Sequence, residues 1–187
     1  MNFLSKIRSS NNSHLISLIK ICLRHQSNSA NLKKFPIKSS SLFTQICTGN
    51  DDVKHLFSIF HKYNYELRMA GGAVRDLLLN IKPHDIDFAT NALPEQMIEM
   101  FEKENVRILN MKGLKHGTLP IRVRERVNFE ITTLRIDVKT YGRHAEVEFT
   151  NDWHKDAIRR DLTVNALFLG KHCIPRDPVF DKEKTFF

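Results

Sequence analysis

Two aspartates, Asp85 and Asp87, stand two residues apart in the run Pro83-His84-Asp85-Ile86-Asp87-Phe88. On a strand such residues face the same side, which brings both carboxylates to one place with their backbones about 6–7 Å apart. Bare carboxylates that close repel unless a cation lies between them, and hard oxygen donors suit Mg2+ with its waters and phosphate oxygens. The pattern alone is weak, since surface turns carry it too. Upstream, Gly71-Gly72 follows a strand-like stretch and precedes a helix-like one. That placement aims backbone N–H groups and a helix N-terminus at the same cleft, a setting for phosphate, and glycine lets a triphosphate approach the backbone. Arg75 sits one turn further on, within reach of an anion there. Gly71-Gly72 could also be no more than a tight turn, and Arg75 no more than a partner for Asp76. Combined with the paired aspartates, the set reads as nucleotide binding.

Phosphoryl transfer with two metal ions calls for a third carboxylate. Glu130 is the candidate in Val127-Asn128-Phe129-Glu130-Ile131-Thr132: Phe129 and Ile131 take the core side, leaving Glu130 for the cleft. A solvent-facing strand glutamate is the plainer alternative. In Arg159-Arg160-Asp161-Leu162-Thr163-Val164-Asn165, a helix would put Asp161 and Asn165 one turn apart with Arg160 adjacent, a face able to grip a sugar hydroxyl and a triphosphate. The plainer alternative here is an exposed Asp156–Arg160 pair of small energetic worth. Lys115-His116-Gly117-Thr118 reads as a turn into a strand lining the cleft, with His116 more structural than catalytic.

The elements that must position these groups alternate along the chain. Helical spacing of Val53, Leu56, Phe57 and Phe60 predicts a helix within 46–63, and further helices are expected over 73–80, 94–104 and 152–169. Pro94 takes the first-turn place proline favours. Strands are expected at 65–70, 85–89, 106–110, 118–123, 127–134 and 145–149. The stretch 171–187 has Pro175 and Pro178, which exclude a helix there.

The 187 residues suffice for one domain and a leader. The net charge of +8 is unevenly placed: seven basic residues precede Asp51, the first acid, and taking them from the 29 leaves 22 against 21 acidic residues. The remainder is therefore nearly neutral, which argues against strong independent RNA affinity. The acid-free leader, with Leu15, Leu18, Ile19 and Cys22 at helical spacing, has the composition of a mitochondrial presequence; a disordered basic tail is the alternative. No apolar run reaches the roughly 18 residues that span a bilayer, so no membrane partner is expected. Cys22, Cys47 and Cys173 are too few and too scattered for a disulfide framework or zinc site.

In order, Gly-Gly-Ala-Val-Arg-Asp (71–76), Asp-Ile-Asp (85–87), Lys-His-Gly-Thr (115–118), Phe-Glu-Ile-Thr-Thr-Leu-Arg-Ile-Asp (129–137) and Arg-Arg-Asp-Leu-Thr-Val-Asn-Ala-Leu (159–167) resemble the head domain of class II CCA-adding tRNA nucleotidyltransferases, in the polymerase-β-like superfamily. The resemblance implies an α+β fold: a mixed β-sheet flanked by helices, with a disordered or helical leader over 1–41, the head over 42–170 and an atypical tail over 171–187. It implies that Asp85, Asp87 and Glu130 hold Mg2+. Gly71, Gly72 and Arg75 would meet the incoming phosphates, and Arg160, Asp161 and Asn165 the ribose and triphosphate. Arg143, in the loop 137–145, matches the family's flexible loop, which is linked to the switch towards the final A. The implied partners are the tRNA 3′ end, CTP and ATP, with a homodimer left open and a matrix, cytosolic or nuclear location. The family continues after Leu169 with a strand and then a neck carrying the templating motif, which this sequence does not show, so a truncated product with an unpaired sheet edge is expected. A bacterial-type poly(A) polymerase head, or an inactive nucleotide-binding isoform, are the alternatives.

Overall fold

The computed structural model describes residues 42, 45–46, 49–78, 81–141, 144–160, 165–170 and 175–176. The leader, all three cysteines, Asp161 and Arg143 lie outside them. The first described helix, α1 (Asp51–Lys62), starts where Asn50 accepts hydrogen bonds from the N–H groups of Asp52 and Val53 at 3.0 and 3.2 Å. Asp51 and Asp52 in its first turn, with His61 and Lys62 in its last, complement the helix dipole. Its apolar stripe, including Val53, Leu56, Phe57 and Phe60, is buried. Strand β1 (Leu67–Ala70) leads through Gly71 into helix α2 (Gly72–Leu78), and β2 (Asp87–Thr90) leads to α3 (Pro94–Lys103). Gln96 closes the N-terminus of α3 by accepting from the Leu93 N–H at 2.8 Å.

Five strands follow: β3 (Arg107–Ile108), β4 (Thr118–Val123), β5 (Val127–Thr133), β6 (Arg135–Tyr141) and β7 (His144–Phe149). Helix α4 (Trp153–Ile158) and the short strands β8 (Phe168–Leu169) and β9 (Pro175–Arg176) complete the described elements. The main sheet runs β3-β4-β5-β2-β1-β8-β9, and β6 pairs with β7 as a separate hairpin. Only β2 and β5 pair in parallel, so the sheet is mixed, as expected.

Side chains alternate across this sheet. Leu67, Met69, Phe88, Phe129, Ile131 and Leu169 enter the larger core with residues of α1, α2 and α3. Phe88 sits edge-on to both Phe57 and Phe129, at 5.9 and 5.4 Å between ring centres. Ala70, Ala89 and Phe168 take the opposite face, where Ala157 of α4 and Trp153 cover part of it.

Four expectations need correction. The second strand begins at Asp87, leaving Asp85 in a bend before it. The last helix ends at Ile158, not 169: the Arg160 N–H bonds the Ala157 carbonyl at 3.2 Å, a tightened closing turn, and Phe168–Leu169 is claimed by pairing with β1. The segment 137–145 is largely strand rather than loop, being part of the β6–β7 hairpin. The edge of β1 is not bare, because β8 covers it and β9 covers β8. Pro175 sits in β9, the last strand of the sheet, where a missing N–H costs least.

The hairpin is tied down at its root. The Leu134 N–H bonds the Thr90 carbonyl, the Thr150 N–H bonds the Leu134 carbonyl, and Arg135 Nη1 donates to the His116 carbonyl. Gly117 packs so tightly that a Cβ there would stand 2.6 Å from Cε1 of Phe149, and its φ of +77° also favours glycine.

Candidate active site

One row of the sheet carries the chemistry. Glu130 of β5 lies opposite Asp87 of β2, Asp87 opposite Ala70 of β1, and Ala70 opposite Phe168 of β8. Because Phe88, Phe129 and Ile131 bury on the core side, Asp87 and Glu130 emerge together on the other. Their strands are neighbours, with backbones about 4.8 Å apart. Burial raises the pKa of Asp87 first, the charge of Asp85 raises it further, and Arg160 draws it back. Burial and then the charge of Asp87 raise Glu130. Among the described residues, neither carboxyl has a hydrogen-bonded cation, although the charge of Arg160 reaches Asp87.

Asp85 stands apart from this pair. Its side chain is 79% exposed, and its Oδ2 lies 2.7 Å from Nδ1 of His84, whose pKa that contact raises. The strand geometry that would set Asp85 and Asp87 on one face does not extend to Asp85, which precedes the strand, although its charge is felt at Asp87. Among the described residues, no three acidic, histidine or cysteine side chains close around a single point.

Beside the row is the Gly71-Gly72 turn. Gly71 has a φ of +67°, the left-handed conformation that glycine supplies without strain. Two guanidiniums stand against it: a Cβ on Gly71 would be 3.6 Å from Nη1 of Arg160, and one on Gly72 would be 3.4 Å from Nη2 of Arg75. Arg75 does pair with Asp76, at 2.8 Å, and its Nη1 also donates to Oδ1 of Asn165 at 3.1 Å. Asn165 meets both cations, since Arg160 Nη1 also approaches its carbonyl at 3.4 Å. The Asp156–Arg160 pair exists but is not the exposed one expected: Asp156 is 1% exposed and also binds Arg159. Asp156 is the residue that sequence reasoning underrated, and the signal was there in its spacing of three and four from Arg159 and Arg160. A cleft of about 340 Å3 lined by Tyr65, Asn91, Gln96 and Phe149 opens at the other ends of β1 and β2, away from this chemistry.

The family described as "Poly A polymerase head domain" matches residues 67–184, which take in the glycine turn, Arg75, Asp85, Asp87, Glu130, Asp156, Arg160 and Asn165. The chain belongs to this family. It is 62% identical over 130 residues to CCA tRNA nucleotidyltransferase 1, mitochondrial, of Homo sapiens, and 61% identical over 130 residues to the Mus musculus protein of that name. Each alignment takes in 70% of this chain and 28% of the relative, so the chain spans little more than a quarter of the length of these relatives. Among solved structures it resembles the Bacillus stearothermophilus CCA-adding enzyme in complex with CTP, with a TM-score of 0.58 and 29% identity over 74% of this chain and 30% of that one. The fold is that of this head-domain family, and over that part the chain is similar to CCA tRNA nucleotidyltransferases.

Proposed function

We propose that residues 42–170 form a catalytic head that transfers CMP and AMP from CTP and ATP to the 3′ end of tRNA. The observation that carries this is the juxtaposition of Asp87 and Glu130 on one row of the sheet with the Gly71-Gly72 turn and its two guanidiniums. Neighbouring carboxylates beside a turn faced by two guanidiniums suit a reaction in which metal and triphosphate arrive together.

The donor set fits Mg2+: two hard oxygen donors stand side by side, their pKa values raised by burial first and by neighbouring acids second, and a cation would offset both. Asp87 and Glu130 would hold the metal, with Asp85 joining after leaving His84. When bound, Mg2+ supplies charge neutralisation for the attacking hydroxyl and the departing pyrophosphate. Arg75 and Arg160 bind and orient the phosphates from the side of the glycine turn. Asn165 keeps both cations facing that turn. Gly71 and Gly72 leave room for the anion to approach the backbone. Asp161 for the ribose and Arg143 for the choice of nucleotide complete the reading by resemblance alone. The leader composition and the mitochondrial relatives support delivery to mitochondria.

The test is incorporation of labelled CTP and ATP into tRNA lacking its 3′ CCA, with Mg2+ and an Asp85→Ala/Asp87→Ala control. Addition lost in the control is expected. No addition by folded protein would make this chain a nucleotide-binding form without transfer. AMP addition to a generic RNA primer in preference to tRNA would favour a poly(A) polymerase, as the family's description allows.

A further inference from the structure

We propose that Asp156 is a positioning residue that sets the guanidinium of Arg160 against the Gly71 turn, ready for the phosphates of a nucleoside triphosphate. The inference rests on the phosphate-binding reading of Arg160 given above. A buried carboxylate is costly unless its oxygens are satisfied, and both oxygens of Asp156 are. Oδ1 accepts from Arg159 Nε at 2.8 Å and from the Arg135 N–H at 3.1 Å. Oδ2 accepts from Arg160 Nε at 3.2 Å and Nη2 at 2.9 Å.

Arg160 is held from two further directions. Its Cζ lies 5.1 Å from the ring centre of Phe168, and its Nη1 approaches the Asn165 carbonyl at 3.4 Å. The Phe168 ring is braced edge-on by Trp153 at 5.0 Å, and Trp153 in turn takes the Arg68 guanidinium at 4.0 Å. Asp156 of α4, Phe168 of β8 and the Asn165 carbonyl therefore converge on one side chain. An arginine fixed in this way loses little freedom when an anion arrives, which is how preorganisation gains affinity. The anchoring does not cancel its attraction for phosphate: Arg135 feels the charges of Arg159 and Arg160 as well as those of Asp137 and Asp156, so three guanidiniums face two carboxylates. The charge of Arg160 also reaches Asp87, which puts the held cation within range of the carboxylate row.

The experiment is a double-mutant cycle on the full chain, read as CTP affinity in Mg2+ by isothermal titration. Asp156→Asn should weaken CTP binding about tenfold, the scale of a lost charged hydrogen bond. Arg160→Ala should weaken it at least as much, and the double variant no more than Arg160→Ala alone. Asp156→Glu, which keeps the charge, should recover part of the affinity, and it replaces Asn in the cycle if that variant does not fold. Losses that add in the double variant would overturn the proposal, because a merely structural effect does not need Arg160. If Arg160→Ala weakens binding and Asp156→Asn does not, the positioning role alone falls. If Arg160→Ala leaves CTP binding intact, or the unaltered chain binds none, the phosphate reading fails and the positioning role with it.

Discussion

The acidic and the cationic sides of the site are built in opposite ways. Asp87 and Glu130 sit side by side with raised pKa values and no hydrogen-bonded cation of their own among the described contacts. Arg75 and Arg160 are each tied to an aspartate and both meet Asn165. On the proposed function the acids await a metal and the cations are placed in advance for an anion, so changes to the two sides are predicted to differ in kind.

The largest effect is expected from Asp87→Ala, which removes the central member of the carboxylate row. Transfer should fall by about a thousandfold or more, and added Mg2+ should no longer raise the melting temperature. Arg160→Ala should act on nucleotide capture instead, weakening CTP about 10- to 100-fold in a titration while Mg2+ still stabilises the protein. If both variants lost metal and nucleotide together, the two sides would not be separable.

A smaller effect concerns stability. The raised pKa values mean that the folded protein holds protons on Asp87 and Glu130 more tightly than the unfolded chain does. Their favourable contribution is complete below the ordinary values of 3.8 and 4.5 and is lost as pH rises through the raised values. Without metal, Asp87→Asn or Glu130→Gln should therefore raise the melting temperature at pH 7.5. Solvent screening of these partly open groups limits the gain to about 1–3 °C. The gain should shrink as pH falls, vanish only below the ordinary values of 3.8 and 4.5, and reverse when Mg2+ is supplied at pH 7.5. Smallest of all, His84→Ala should change Mg2+ affinity by less than about twofold, because an exposed pair is worth little.

Much of this was legible in the residues. Glu130 could be placed because Phe129 and Ile131 had to be buried, and the helical spacing of Val53, Leu56, Phe57 and Phe60 located α1 to within a few residues. Asp85 was misplaced because a spacing of two says nothing about where a strand starts, and β2 starts where Asp87 meets Ala70 and Glu130. The end of α4 was misjudged for a related reason. Phe168 and Leu169 fit a helical pattern, yet they are drawn into the sheet by β1, a partner almost a hundred residues away. Asp156 looked like half of a surface pair because depth is not written in spacing; Arg159 and Arg160 reach it from the same turn that Trp153 and Phe168 help to cover.

The root of the β6–β7 hairpin has a mechanical consequence. With Gly117 pressed against Phe149 and Leu134 bonded on both sides, the hairpin is clamped like a cantilever at one end. Its strands rise about 3.3 Å per residue, so a tilt at the clamp is multiplied along an arm of about 20 Å. Any side chain larger than hydrogen at position 117 would press on the Phe149 ring and on Cβ of Thr133, one residue from the Leu134 bonds. A single glycine thereby sets how closely the base of the arm can be gripped.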